Sequence, residues 1–294
     1  MIYYVCKYTP IELFRGFGEE CSVLEEMPEN FEQSDQIAHA NLCGFGKSVI
    51  QAVLEGKVEQ LVLVNCCDSM RRVYDIVEST GKCKFLYMLD LPHDDNECEK
   101  VKFAGTIRRL KKAYEAYSGK VFDKRAFIKS FITPEMNTEP YIGVLGLRVS
   151  GILEDMIRDN IQMDVENLTC TGGRKLSVVQ DEMWNMEEEE LFLSYADVLL
   201  GQMPCFRMNR SIRRNRLYLD PNLKGIIYHT IKFCDYYGFE YASIKRDIKV
   251  PLLKIETDFT SQSAGQLLTR IQAFEETIEG SEDMDPGKGI SEEA

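Results

Sequence analysis

Residues 61–68 read Leu61-Val62-Leu63-Val64-Asn65-Cys66-Cys67-Asp68, an apolar run that leads directly to cysteine and aspartate. Four consecutive branched apolar residues predict a short strand that is buried on both faces. The next segment, 68–78, carries apolar residues at helical spacing and predicts a helix that begins beside Cys67. The apolar run 85–89 then predicts a second strand. This order of elements predicts two parallel strands joined by a right-handed crossover.

The second half of the chain repeats this unit. The apolar run 225–228 leads to Cys234-Asp235, a helical segment follows, and the run 251–255 predicts a strand that reaches Asp258. The two aspartates of the first unit, at positions 68 and 90, are 22 residues apart, and those of the second unit, at 235 and 258, are 23 apart. The similarity predicts an internal duplication of one α/β unit.

The fold class predicted from these units is α/β, with two Rossmann-like subdomains that contain parallel sheets. We expect an N-terminal α/β subdomain at 1–135, a C-terminal α/β subdomain at 136–280 and an acidic disordered tail at 281–294. The remaining periodic segments predict strands at 141–146 and 165–169 and helices at 99–118, 122–131, 151–161, 187–201, 234–247 and 262–278.

Composition limits the partners and the compartment. The 294 residues carry a net charge of −13, which repels a phosphate backbone, so we expect no nucleic acid partner. No apolar run approaches the roughly 18 residues that span a bilayer, so we expect no membrane association. The start of the sequence lacks the basic and long apolar regions of a signal peptide, and we therefore expect a cytoplasmic protein.

Ten cysteines are many for a chain in a reducing compartment, where disulfides are rare and metal or redox roles are favoured. No C-x-x-C pair occurs, so any metal site must combine cysteines that are distant in sequence. Five cysteines follow predicted strands or lie near predicted helix starts, where the helix dipole favours the thiolate. These candidate ligands are Cys43, Cys67, Cys170, Cys205 and Cys234.

The other cysteines and the basic residues allow further interpretations. We favour Cys67 over its neighbour Cys66 as a ligand, because Asp68 follows it as Asp235 follows Cys234. Cys21, Cys83 and Cys98 fall in polar or loop surroundings and are taken as incidental. A basic cluster after Cys205 could bind an anionic substrate or a negatively charged cluster, or could be a solvated helix face. Its members are Arg207, Arg210, Arg213, Arg214 and Arg216.

These residues resemble the 2-hydroxyacyl-CoA dehydratase family, which includes benzoyl-CoA reductase subunits, the 2-hydroxyglutaryl-CoA dehydratase D-component and the double-cubane-cluster proteins. The resemblance covers nearly the whole chain. The matching stretches are 6–13, Asn41-Leu42-Cys43, Cys67-Asp68 with 71–74, Lys232-Phe233-Cys234-Asp235, 251–253 with Glu256 and Asp258, and 265–274.

The resemblance implies a ligand set. Ordinary members hold one four-iron cluster with three cysteines, which match Cys43, Cys67 and Cys234. Cys170 and Cys205 are similar to ligands of the double-cubane branch, in which six cysteines hold two sulfide-bridged cubanes. The sequence offers no match for the sixth cysteine of that branch, and either Cys6 or Cys66 could replace it.

The function implied by the resemblance is that of an iron–sulfur reductase or acyl-CoA dehydratase (a lyase). A separate ATP-dependent activase would supply low-potential electrons, and a small-molecule substrate would be reduced or dehydrated. The partner would be the activase, and the chain would form a homodimer or a heterodimer with another family member. Two alternatives remain: a non-catalytic electron-transfer or scaffold subunit, and an α/β binding protein without metal. No catalytic residue is assigned.

Overall fold

The first half of the chain forms one parallel sheet. The structure is a computed structural model that describes residues 1–132, 138–176, 178, 180–208, 211–261 and 264–282. The strands of the first sheet run in the spatial order β2-β1-β3-β4, and their ranges are β1 (Ile2–Tyr4), β2 (Cys21–Val23), β3 (Gln60–Val64) and β4 (Phe85–Leu89).

A second sheet repeats this topology. Its strands are also parallel, and their order, β6-β5-β7-β8, corresponds position by position to that of the first sheet. This confirms an α/β fold with two Rossmann-like halves. The strand ranges are β5 (Tyr141–Gly146), β6 (Asp164–Asn167), β7 (Leu223–Ile231) and β8 (Leu252–Thr257).

Helices flank the strands in each half. The first half contains α1 (Ile11–Arg15), α2 (Gly44–Leu54), α3 (Asp68–Thr80), α4 (Glu97–Ser118) and α5 (Lys124–Lys129). The second contains α6 (Gly151–Asn160), α7 (Gln180–Met183), α8 (Glu188–Leu200), α9 (Asp235–Asp247) and α10 (Ala264–Glu282). The expected domain boundary at 135 falls within residues 133–137, which lie outside the described residues. Of the disordered tail expected at 281–294, residues 281 and 282 instead belong to helix α10, and the rest lies outside the described residues.

Helix α8 follows β6 in sequence but packs on α4 of the first half. Lys111 Nζ lies 3.0 Å from Glu188 Oε2, and Lys100 Nζ lies 2.7 Å from Asp197 Oδ1. On its buried side, Phe192 belongs to the apolar core of the first sheet. A segment of the second half therefore completes the core of the first half.

The strand order places a crevice at the same point in each half. Strands β1 and β3 are neighbours, but the chain leaves them toward opposite sides, and the same holds for β5 and β7. In open α/β sheets, ligands bind at the carboxyl ends of strands at this topological switch point. The residues that follow β1, β3, β5 and β7 are therefore the ones to examine for a site.

Candidate functional site

One cavity joins the switch points of the two halves. Its volume is about 240 Å³, and seven of the ten cysteines line it. All five candidate ligands are among them, together with both candidates for the sixth. The cysteines on its wall are Cys6, Cys43, Cys66, Cys67, Cys170, Cys205 and Cys234. Cys67 and Cys234, which are distant in sequence, thus face the same space.

Three of these cysteines cap helices. Cys43, Cys67 and Cys234 are the N-cap residues of α2, α3 and α9. Cys43 Sγ accepts a hydrogen bond from the Gly46 N–H at 3.4 Å. The free N–H groups and the positive end of the helix dipole favour negative charge at these positions. The fold therefore places three helix N-termini beside cysteine sulfur atoms at the cavity.

The close contact of the two halves at α2 requires a glycine. A Cβ atom on Gly44 would lie 1.9 Å from the carbonyl oxygen of Asp258, which follows β8. Only a residue without a side chain allows this approach. Gly44 is adjacent to Cys43, so the glycine lets the first turn of α2 present Cys43 at the junction between the halves.

Burial keeps most of the free thiols protonated. It raises the pKa of Cys6 and of Cys234 to about 12, and it also raises the pKa of Cys43 and Cys205. Cys67 differs, because a hydrogen bond from the Cys66 thiol lowers its pKa to about 7. Metal binding requires thiolates, so a metal that enters this cavity must displace protons from the buried cysteines.

The remaining wall of the cavity includes apolar and cationic side chains. Phe45 and Leu147 supply apolar surface, and the guanidinium groups of Arg148 and Arg207 are the buried cations. Phe233 lies at the rim and is 60% exposed. Its φ of 64° is in the left-handed region, which is unfavourable for a bulky residue and is found mainly at functional sites.

Sequence reasoning did not find Arg148 and Phe233 as parts of the site. Arg148 follows strand β5 by two residues, so the rule that ligands gather after parallel strands could have indicated it. Of the basic cluster, Arg207 lines the cavity, Arg214 forms a buried ion pair with Glu240 at 2.6 Å, and Arg216 is exposed. The side chains of Arg210 and Arg213 lie outside the described residues.

Three cysteines stand apart from the cavity. Cys21 lies in strand β2, where the polar or loop setting expected from the sequence is wrong. The Cys83 thiol donates to the Val58 carbonyl at 3.7 Å, and Cys98 is exposed on α4. In the described part of the chain, no three histidine, cysteine, aspartate or glutamate side chains converge as ligands of a single metal ion. None of the described helices is long and apolar enough to cross a bilayer.

The chain resembles known dehydratase components. The family model described as 2-hydroxyglutaryl-CoA dehydratase, D-component, matches twice, at residues 6–139 and 133–278. The dehydratase subunit YjiM of Escherichia coli (strain K12) is 25% identical over 154 residues, which are 49% of this chain and 39% of that protein. The (R)-phenyllactyl-CoA dehydratase beta subunit of Clostridium sporogenes is 40% identical over 57 residues, or 18% of this chain and 15% of that protein. The matches thus cover less than half of either relative.

Proposed function

Because this chain belongs to the family of 2-hydroxyglutaryl-CoA dehydratase D-components, we propose that it is an iron–sulfur subunit of the dehydratase type. The observation that carries the proposal is the cavity that seven cysteines from both halves line. We propose that Cys43, Cys67, Cys170, Cys205 and Cys234 hold the iron, with Cys6 or Cys66 as the sixth ligand.

The donor set fits a cluster better than a single ion. All seven sulfur donors share one cavity, whereas no three potential ligands among the described residues converge on one ion. In a cubane each cysteine binds a different iron, so the thiolates surround the cluster instead of meeting at one point. Apart from Asp68 and Ser69, the other side chains on the wall are apolar, aromatic or cationic, which also suits iron and sulfide.

The residues of this chain would bind and shield the cofactor. A four-iron cluster or sulfide-bridged double cubane would supply single electrons at low potential to a small substrate. Helix N-termini at Cys43, Cys67 and Cys234 would stabilise negative charge, and Phe45 with Leu147 would exclude water. We propose that an ATP-dependent activase delivers the electrons and that the product is a reduced or dehydrated small molecule.

The test is an iron and sulfide count on protein that is purified anaerobically. We expect a brown protein with absorbance at roughly 400 nm, where thiolate-to-iron charge transfer occurs. About eight irons per chain, falling in both C170A and C205A, would support a double cubane, and about four, unchanged in both variants, a single cubane. A colourless chain that takes up no iron on reconstitution would overturn the proposal and favour a metal-free binding protein.

A second candidate function is a non-catalytic electron-transfer or scaffold subunit. It is favoured by the names of the relatives, both of which are called subunits, and by the small part of each that the chain matches. Its partner would then be another family member. Activase-dependent reduction of a substrate by the purified chain alone would exclude this candidate, and reduction only after a second family member is added would support it.

A further inference from the structure

Two buried arginines lie on the wall of the cysteine cavity, and both belong to the second half. Arg148 is 3% exposed and follows strand β5, whereas Arg207 is 5% exposed and follows Cys205 by two residues. Removing a guanidinium from water is costly unless its donors find acceptors and its charge is balanced. The partners of each nitrogen atom therefore indicate what the two side chains are placed to bind.

Both terminal nitrogens of Arg148 donate hydrogen bonds to the first half. Nη1 donates to the carbonyl oxygen of Leu24 at 3.2 Å, and Nη2 donates to that of Val5. The guanidinium also stacks on Phe45, with its central carbon 3.7 Å from the ring centroid. These contacts hold the group in one orientation, with a ring on one face and two carbonyls at its outer end.

Arg207 is bound in the same manner. Nη1 donates to the Pro92 carbonyl and Nη2 to the Leu91 carbonyl, each at 2.5 Å, and both acceptors follow strand β4. Its own carbonyl oxygen lies 3.2 Å from Nδ1 of His93, which fixes the backbone at this point. The terminal nitrogens of Arg207 thus bind backbone carbonyls of the first half, and these bonds fix the side chain.

In both side chains the inner nitrogen, Nε, is buried and has no hydrogen-bond acceptor among the described residues. A buried donor of a charged group without an acceptor is strongly unfavourable, and such groups are rare in folded proteins. Both donors belong to residues that line one cavity, and an anionic acceptor held there would satisfy them.

We propose that Arg148 and Arg207 donate their Nε–H groups to the anionic sulfur atoms of a cluster held in this cavity. The inference rests on the proposed function, since it requires the cluster to be there. The neighbouring thiols support this placement of the positive charges. Burial raises the pKa of Cys43, and the charge of Arg148 opposes that rise. Burial likewise raises the pKa of Cys6, and the charge of Arg207 opposes that rise.

The charge of the arginines has a consequence for electron transfer. Each electron that enters makes a thiolate-bound cluster more negative, so a fixed positive charge beside it stabilises the reduced form. Hydrogen bonds to cluster sulfur act in the same direction. The two arginines should therefore make the cluster easier to reduce than the cysteine ligands alone would.

The experiment is a redox titration of reconstituted protein with iron counted on the same samples. In Arg207→Gln we expect iron to be retained and the reduction equilibrium to shift at least tenfold toward the oxidised form, which is about 59 mV for a one-electron couple. Arg207→Lys keeps the charge but not the Nε–H donor, so it should restore only part of the wild-type potential. Arg216→Gln removes an exposed arginine and is the matched control, with no shift expected.

The pair Arg148→Gln and Arg148→Lys repeats the experiment at the second site. Potentials equal to that of the wild type in both Gln variants would overturn the inference and leave the proposed function intact. Loss of iron from both Arg207 variants with the fold preserved would also overturn it, because the residue would then act only through its bonds to Leu91 and Pro92. A wild-type protein that takes up no iron would remove the proposed function and this inference together.

Discussion

The two halves have the same strand order but bring different side chains to the cavity. Tyr4 pairs with Val62 in the first sheet, so Cys6, two residues later, falls beside Val64. Gly146 pairs with His229 in the second sheet, and Arg148 falls at the corresponding place. A cysteine in one half thus stands where an arginine stands in the other.

The positions before the helix-capping cysteines differ in the same way. Cys66 precedes Cys67 after strand β3, and Phe233 precedes Cys234 after strand β7. The first half has a second thiol where the second half has an exposed aromatic ring with a left-handed backbone. At these two pairs of equivalent positions, the first half has thiols and the second half has an arginine and an aromatic ring.

The largest expected effect tests whether both halves contribute ligands. We expect C43A, from the first half, and C234A, from the second, each to lose most of the bound iron, because each removes a thiolate at a helix N-terminus in the cavity. C83A and C98A remove cysteines that do not line the cavity and serve as controls. Iron content is measured on anaerobically reconstituted protein, and equal values in all four variants would contradict the assignment.

A smaller loss should separate Cys6 from Cys66. Cys66 donates its thiol hydrogen to Cys67. Cys6 lies at the switch point of the first half, at the position that is equivalent to Arg148 in the second half. We expect C6A to fall to about half of the wild-type iron if two cubanes are present, and C66A to keep more. A greater loss in C66A would make Cys66 the sixth ligand instead of Cys6.

The sheets themselves should respond differently to acid. The position of His229 in the second sheet corresponds to the apolar Val62 in the first. His229 Nδ1 donates to the Arg148 carbonyl at 2.7 Å, and burial lowers its pKa from 6.5 to about 4. The unfolded chain takes up the proton first, so stability should fall as pH drops from 6.5 to 4, by on the order of 3 kcal/mol.

Urea unfolding at pH 7 and pH 4.5 measures this effect. The His229→Gln variant should lose less stability between the two pH values than the wild type, because it removes the group that charges only on unfolding. The exposed His39→Gln variant is the matched control and should lose as much as the wild type. An equal loss in His229→Gln would show that other groups determine the acid response.

The smallest expected effect concerns the contact that joins the halves. Gly44→Ala places a methyl group where the Asp258 carbonyl oxygen lies 1.9 Å away, so α2 must shift. Overpacking of this kind costs about 1–3 kcal/mol of unfolding free energy. Gly105→Ala, in the interior of α4, meets no atom closer than 3.7 Å and should be neutral or stabilising. Equal stability of the two variants would contradict the close contact between Gly44 and the Asp258 carbonyl oxygen.

Local patterns in the sequence were enough to predict much of the fold. The buried strands at 85–89 and 141–146 were predicted with the bounds that the structure has, because each is a continuous apolar run. Strands β1 and β2 were missed, since three residues are too few to carry a period. The packing of α8 on the first half depends on contacts between distant residues and leaves no local signal.

The candidate site was predictable to the extent that it follows strand ends and helix starts. Those rules led to the five candidate cysteines, which the structure brings to one cavity, although their role as ligands remains a prediction. Arg148 and Phe233 were missed because an arginine after a strand and a phenylalanine before a cysteine are common in any sequence. Only a comparison of the strand registers within the two sheets makes these positions stand out.

The packing of α8 on the first half sets an order of events during synthesis. Phe192 and Tyr195 of α8 pack against Phe127, and Tyr195 also contacts Phe131. A growing chain that has released only the first half therefore exposes these rings, which favours aggregation or contact with a chaperone. The ribosome must deliver about sixty further residues, through Leu200, before the earlier core can close, so the first part of the chain to be made is not the first to finish folding.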